Sequence, residues 1–225
     1  GYMGPVTLSK QNRLFWLGRY AERVYVTTQF LMQFYDALLD STAPDYADFC
    51  RRLGAENVYR DAEDFCRRYL FDGDQPCSVR ASMDALLGNG MVLRETITSP
   101  TLSYLQLADS AMDLASRSEA PGVELQWVLD DIMAFRGSFD EAVDLDGVRN
   151  ITKTGGTVER LSLMLRLDWQ TDRLRQEMRK LLNRLYKTDL NAEPKALQTI
   201  TAYALEEADV PVPQLLHSVE GLFVV

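Results

Sequence analysis

The sequence is poor in the side chains that bind metals through nitrogen or sulfur. It contains one histidine, His217, and three cysteines, Cys50, Cys66 and Cys77, with no Cys-x-x-Cys pair among them. Zinc sites of the Cys/His type need four such ligands at short spacings. The composition therefore predicts no metal site and no bound cofactor. An odd number of unpaired cysteines also predicts free thiols in a reducing compartment.

Long apolar runs and alternating patterns are absent too. No run of 18 apolar residues occurs, and the first residues lack the basic-then-apolar order of a signal peptide. This predicts no membrane span and a cytoplasmic location. No segment alternates polar and apolar residues with the period of two that marks a half-buried strand, so no sheet is expected.

Basic residues are fewer than acidic ones. The chain has 33 acidic and 24 basic residues and a formal net charge of -9. An acidic protein repels phosphate groups, so the charge balance argues against nucleic acid or an anionic membrane as partner.

The sequence also lacks the familiar catalytic motifs. It has neither the Gly-x-Ser-x-Gly of serine hydrolases nor a P-loop. A di-iron site in a four-helix bundle needs two Glu-x-x-His pairs, which one histidine cannot supply. No complete catalytic set is therefore recognisable.

What the sequence does contain is helical periodicity. Its 225 residues are 46% hydrophobic and 25% charged, which suits one globular domain over residues 1–225. Ser9 is placed to cap a first helix that reaches about Asp40. Apolar residues spaced three and four apart form one seam along it: Leu14, Leu17, Ala21, Val24, Thr28, Leu31, Tyr35 and Leu38.

The rest of the chain reads as shorter helices and a second long one. Breaks at proline, glycine and acidic turns predict helices over residues 46–54, 56–71, 78–98, 101–117, 123–143, 148–189 and 194–208. In the helix over 123–143, Trp127, Ile132 and Phe135 are expected to face inward. The helix over 148–189 is the second long one, with a kink at Gly155-Gly156 as an option. The predicted fold is all-α: a helical bundle with two long helices and several shorter ones.

A short pattern occurs once in each long helix. Residues 18–23 (GRYAER) and 155–160 (GGTVER) both read Gly-x-x-x-Glu-Arg. Glycine inside a helix costs about 1 kcal/mol relative to alanine, so it usually marks a close approach by another helix or a ligand. The pattern predicts that the two helices pack at Gly18 and Gly155. It also predicts that Glu22 and Glu159 are buried, with Arg19, Arg23 or Arg160 as their partners, and point into a common region.

Several stretches resemble the bacterial alpha-E family. Residues 14–23 (LFWLGRYAER) closely resemble the opening helix of that family, and residues 71–79 (FDGDQPCSV) resemble its Asp-Asn-Pro-x-Ser-Ile turn. Residues 94–97 (RETI) resemble the close of the following helix, and 155–160 the second Gly-x-x-x-Glu-Arg helix. The stretch 87–91 (LGNGM) departs from the family, which usually carries Arg-Glu-Asn-Ala-Arg there.

The resemblance implies an all-helical cytoplasmic protein encoded or fused with circularly permuted ATP-grasp ligases and transglutaminase-like proteins. Such proteins form amide or peptide bonds, and one of them would be the partner of this chain. Carried over residue by residue, the family-matching polar positions make a candidate polar site: Arg19, Glu22, Arg23, Asp74, Ser78, Arg94, Glu95, Glu159 and Arg160. Pro76 matches the family's turn.

Three functions remain open from the sequence. The chain is a binding or accessory component of an ATP-grasp-associated amide-forming system, an enzyme that uses a buried Glu/Arg cluster for acid–base chemistry, or a purely structural helical protein. The two Gly-x-x-x-Glu-Arg helices bear on the choice, since a buried, convergent polar face favours a site and a solvent-facing one favours a scaffold.

Overall fold

The structure is a computed structural model that describes residues 6–223. It is 75% helical, and no strand occurs within the described residues, so the fold is all-α as predicted. The described part of the chain contains eleven α-helices: α1 (Leu8–Leu39), α2 (Tyr46–Leu53), α3 (Ala62–Phe71), α4 (Val79–Val92), α5 (Arg94–Ile97), α6 (Ser99–Ser116), α7 (Gly122–Ala142), α8 (Asp146–Leu167), α9 (Leu174–Leu185), α10 (Pro194–Ala204) and α11 (Val212–Glu220).

The chain forms two compact units. One comprises the residues up to Arg19 together with those from Asp144 onwards, and the other comprises Tyr20–Val143. The single domain over residues 1–225 stays a prediction, and its ends, residues 1–5 and 224–225, lie outside the described residues.

Helix α1 follows the seam that its sequence predicts. The seam residues from Leu14 to Leu31 are all buried, because their spacing of three and four keeps them on one face. The cap was predicted at Ser9, which is wrong: Ser9 lies inside the helix. The backbone N–H of Lys10 donates to Oγ1 of Thr7 at 3.2 Å instead, so the helix starts two residues earlier.

Side-chain caps set other helix starts. Ser78 was predicted to start a helix, and its Oγ accepts from the Ala81 N–H at 3.0 Å at the start of α4. Helix α3 was expected from residue 56 but begins at Ala62, because Asp61 caps it by accepting from the Asp64 N–H at 2.8 Å. Ser99-Pro100 does not precede α6 but forms its first turn, where proline needs no N–H partner.

The predicted helix over 148–189 is interrupted, which corrects the idea of a second very long helix. Gly155-Gly156 lies within continuous α8, and the break comes later, between Leu167 and Leu174. Asp168 and Gln170 have left-handed backbones, with φ of 51° each. The reversal lets α9 pack back against α8 and bury Leu174 and Met178. Since this stretch has neither proline nor glycine, tertiary packing rather than local preference ends the helix.

In the unit Tyr20–Val143, α6 and α7 form the most extensive helix pair. Ile132 and Phe135 of α7 are buried as predicted, whereas Trp127 was expected inward and is 47% exposed. Leu125 and Val128, on either side of Trp127 in α7, are fully buried. They supply the apolar face that turns Trp127 outward.

An aromatic cluster joins α1, α2 and α3 in the same unit. Phe65 lies at its centre and has no exposed surface. Its ring centroid lies 5.2–5.5 Å from those of five neighbours: Phe34, Tyr46, Phe49, Tyr59 and Tyr69. These separations suit edge-to-face and offset ring pairs, which add to the free energy of burial.

In the unit from Asp144 onwards, arginines hold the ends of helices. Arg175 and Arg179 of α9 donate through Nε to the carbonyls of Tyr203 and Ala204, at 3.1 and 3.0 Å. These carbonyls lie at the C-terminus of α10, where cationic groups are favoured by the helix dipole. Arg166 of α8 and Glu220 of α11 form an ion pair at 2.6 Å.

Cys50, Cys66 and Cys77 are free thiols, and burial alters their reactivity. Burial raises the pKa of the Cys66 thiol to about 12 and that of Cys50 to about 11. The pKa of Cys77, which is only half-buried, is raised as well, chiefly by desolvation.

These pKa shifts predict slow thiol chemistry, because the thiolate is the nucleophile. At pH 8 we expect Ellman's reagent to label Cys77 slowly and first, and Cys50 and Cys66 only after unfolding in guanidinium chloride. Mass spectrometry of the labelled peptides gives the order. Rapid labelling of Cys66 in the native protein would contradict this assignment.

Candidate functional site

The glycines of the two Gly-x-x-x-Glu-Arg patterns lie where α1 crosses α8. A Cβ added to Gly18 would overlap the carbonyl oxygen of Thr152, and one added to Gly155 would overlap that of Phe15. The contact is reciprocal, since each carbonyl belongs to the residue three positions before the other glycine. Two backbones approach so closely only where neither carries a side chain. The predicted packing at Gly18 and Gly155 is confirmed.

One turn beyond Gly155, Glu159 is buried in an ion pair with Arg19. Its side chain is 3% exposed, and Nη2 of Arg19 donates to its Oε2 at 3.3 Å. The Arg19 guanidinium also stacks on Trp16, 4.3 Å from the ring centroid. The ion pair depends on the glycine crossing, which brings residue 19 of α1 within reach of α8, whereas Trp16 lies one turn before Arg19 in the same helix. A carboxylate this buried needs a charged partner, and Arg19 provides it.

One guanidinium nitrogen of Arg19 makes no hydrogen bond within the described residues. Nε of Arg19 is buried and has no hydrogen-bond acceptor among the described residues. Oγ1 of Thr152, on the same face of α8 as the crossing, is likewise buried without a partner in the described part of the chain. The crossing thus retains unused donor capacity beside Glu159.

Glu22 forms an ion pair with an arginine of α7, a helix that lacks the Gly-x-x-x-Glu-Arg pattern. Arg136 of α7 forms an ion pair with Oε2 of Glu22, which is 9% exposed. The guanidinium of Arg136 also lies over the ring of Tyr25, 4.7 Å from its centroid. Burial of both glutamates beside an arginine is confirmed. That Glu22 and Glu159 point into a common region stays a prediction.

Arg160, the second residue of its Glu-Arg pair, supports the turn between α8 and α9. Its Nη2 donates to Oε1 of Gln170 at 2.7 Å, and its guanidinium lies 4.8 Å from the Trp169 ring centroid. Nε of Arg160 is 3.8 Å from Oε1 of Glu177, a buried residue of α9. These contacts hold the residues that interrupt the predicted long helix.

The remaining predicted site residues lie in the unit Tyr20–Val143. The Arg23 guanidinium lies 5.5 Å from the centroid of the Tyr20 ring. Ser78 is fully buried as the cap of α4, and Asp74 N donates to Oδ1 of Asp72 at 3.1 Å within the turn. Arg94 and Glu95 are exposed, and Nε of Arg94 donates to Ser99 Oγ at 3.1 Å.

The structure therefore brings together one predicted pair within a unit, Arg19 with Glu159. Ser78 and Arg160 have local structural roles. Sequence reasoning missed Arg136, Gln170 and Glu177. Only Glu177 carried a local signal, because Lys180 lies one turn further on and pairs with it at 3.3 Å. That the nine predicted residues form one ligand site stays a prediction.

What this arrangement can do is limited by how the carboxylates are held. Each glutamate of a Glu-Arg pair accepts from an arginine on another helix. Carboxylates held in this way fix the position of the arginines and of the helices that carry them. Within residues 6–223, no group of three or more His, Cys, Asp and Glu side chains is arranged to hold a metal ion. No described helix is both long and apolar enough to cross a membrane.

A family model matches residues 10–192 of the 225-residue chain. The family is described as a predicted alpha-helical domain with a conserved ER motif. The chain contains the dipeptide Glu-Arg twice, at 22–23 and 159–160, and both copies lie inside the matched range. No curated protein and no solved structure matches the chain.

Proposed function

The chain belongs to the Alpha-E family, and on that premise we propose that it is a binding or accessory component of a system that forms amide or peptide bonds. The bond-forming catalyst would be a circularly permuted ATP-grasp ligase, or a transglutaminase-like protein, encoded beside it. This chain would bind that protein and position it or its acceptor.

The observation that supports the proposal is that the glutamates of the two Glu-Arg pairs are buried and ion-paired. Glu159 is 3% exposed, and Arg19 donates to its Oε2. A general acid or base must reach the proton that it transfers and must change its own protonation state. Burial alone was expected to favour a site, but a carboxylate that is shielded from solvent and already held by a guanidinium reaches neither a substrate nor a partner. It suits an internal support that fixes α1 against α8 better than a proton carrier, which favours an accessory component over an acid–base enzyme.

The test is direct binding and turnover. We expect this chain and the ATP-grasp ligase encoded beside it to co-elute in size-exclusion chromatography at micromolar concentration after co-expression. We also expect ATP-dependent amide formation, followed as ADP or AMP release with added amine, to rise when the chain is present. Separate elution together with unchanged turnover would overturn the proposal.

A second candidate, acid–base catalysis by the Glu/Arg cluster, has one observation in its favour. The buried Nε of Arg19 has no acceptor among the described residues, so the contacts within the fold leave one donor of the Glu/Arg cluster unsatisfied beside Glu159. Glu22→Gln and Glu159→Gln keep the side-chain size and remove the negative charge. If they abolish turnover while co-elution persists, the chain is a catalyst. The control, Glu207→Gln, removes an exposed carboxylate of the unit that holds Glu159.

A further inference from the structure

The unit Tyr20–Val143 contains an open groove that none of the Glu-Arg contacts uses. It lies between the last turns of α1 (residues 32–39), Glu63 at the start of α3, and the segment 119–125 that leads into α7. Its volume is about 710 Å³, within the range of about 300–1,000 Å³ that is usual for binding pockets. We refer to it as the acidic groove.

The walls of the acidic groove are largely apolar, and part of them is accessible. Met32, Leu38 and Leu125 line it together with two exposed residues, Leu39 (85% exposed) and Val123 (62% exposed). On α1 the lining residues 32, 35, 36 and 39 follow the spacing of one helix face. Tyr35 and Leu38, which end the seam of α1, also line the groove and are only half-buried, so apolar surface remains open to a partner.

Three carboxylates line the same groove. Asp36, Glu63 and Glu119 are exposed, and no basic side chain of residues 6–223 forms an ion pair with any of them. Arg67, a cation close to Tyr35, donates instead to the carbonyls of Ser116 and Ser118, at 2.5 and 3.5 Å.

Helix stability does not account for all three charges. Glu63 lies in the first turn of α3, and Glu119 shortly precedes α7, where negative charge is favoured by the helix dipole. Asp36 lies in the last turn of α1, where the dipole disfavours a carboxylate, and that turn holds no basic residue. A cation from outside would compensate Asp36 and pair with its two neighbours.

We propose that the acidic groove docks a basic amphipathic helical segment of a partner protein. The apolar side chains of the segment enter between Leu39 and Val123, and its lysines or arginines meet Asp36, Glu63 and Glu119. The groove runs along about two turns of α1, or roughly 11 Å at ~1.5 Å per residue. This length suits a segment with apolar anchors at positions i, i+3 or i+4, and i+7. The inference goes beyond the proposed function, because it concerns the chemistry of the groove, whichever protein carries the segment.

The probe is a fluorescein-labelled amphipathic helical peptide of leucine and lysine, titrated with the full chain and followed by fluorescence anisotropy. Its counterpart, in which glutamate replaces every lysine, serves as the charge control. We expect the lysine peptide to bind with a micromolar dissociation constant and the glutamate peptide not to bind. Failure of the lysine peptide to bind, or equal binding of both, would overturn the proposal.

Two double variants test where on the protein the lysine peptide binds. The double variant Glu63→Lys with Glu119→Lys should weaken binding about tenfold or more, because two attractive contacts become repulsive. Glu56→Lys with Glu141→Lys changes the net charge equally at exposed positions outside the groove and should leave the affinity near that of the wild type. Equal weakening by both would show that only overall charge matters, which would contradict docking in the groove.

A third variant tests the apolar contact without touching the core. Leu39→Ser alters a side chain that is 85% exposed, so the fold should be kept, while peptide affinity should fall several-fold. Circular dichroism melting of each variant checks the fold. A concentration-dependent dimer that excludes the peptide would assign the groove to a second copy and overturn the proposal. Loss of ligase co-elution with peptide binding intact would reject the proposed function alone.

Discussion

Replacing Gly155 with alanine is expected to lower the free energy of unfolding by about 1–3 kcal/mol, the usual scale for overpacking. The added Cβ would meet the carbonyl oxygen of Phe15, together with the Cα and carbonyl carbon of that residue. Backbone atoms of a buried helix cannot move aside as a flexible side chain can. The two helices must separate, and buried contacts around the crossing, including the Arg19–Glu159 pair, weaken with them.

The neighbouring glycine provides a matched control. A Cβ on Gly156 meets the Gly18 carbonyl oxygen at 3.6 Å, an ordinary van der Waals contact. Gly156→Ala should therefore be neutral, or stabilise the protein by up to about 1 kcal/mol through helix propensity. The two substitutions are chemically identical and one residue apart in the same helix.

Gly18→Leu extends the same test to the other helix. Its Cβ would overlap the Thr152 carbonyl oxygen, and the rest of the leucine side chain has no space at the crossing. We expect a loss of at least about 1–3 kcal/mol. Urea unfolding followed by circular dichroism gives all three values. If Gly155→Ala and Gly156→Ala change the transition midpoint equally, the close backbone contact does not exist in solution.

Replacing Phe65 with alanine should cause the largest loss of stability, about 3–5 kcal/mol, as for other buried phenylalanines. Five aromatic rings surround its own within 5.5 Å, and its side chain is fully buried. Truncation leaves a cavity among rigid rings that cannot collapse into it. Thermal melting should show a transition that starts well below that of the wild type.

Two controls separate the cavity from the loss of an aromatic ring. Phe65→Leu retains most of the volume and should cost clearly less than Phe65→Ala. Tyr186→Ala removes an aromatic side chain that is 86% exposed, and should change the free energy of unfolding by no more than about 0.5 kcal/mol. A Phe65→Ala variant as stable as Tyr186→Ala would disprove the central position of Phe65.

The candidate site was only partly predictable. The shared glycine-to-glutamate offset predicts the α1–α8 crossing, and the same pattern predicts that both glutamates are buried with arginines nearby. The arginine that pairs with Glu22 was not predictable, because Arg136 lies 114 positions away in a helix that lacks the Gly-x-x-x-Glu-Arg pattern. Several arginines could satisfy a buried carboxylate equally well from the sequence, and only the packing of α7 selects this one.

The sequence by itself determined what depends on near neighbours along the chain. The seam of α1, the helix that begins next to Ser78 and the all-α character follow from spacing and local hydrogen bonding, whose range is one helical turn. Only the tertiary structure decided where the second long helix ends, that Trp127 faces outward and that an acidic groove opens beyond the covered part of α1. These features depend on contacts between segments distant in sequence. The physical reason is that many helices carry a suitable apolar face, and the free energy of packing the whole chain selects which of them meet.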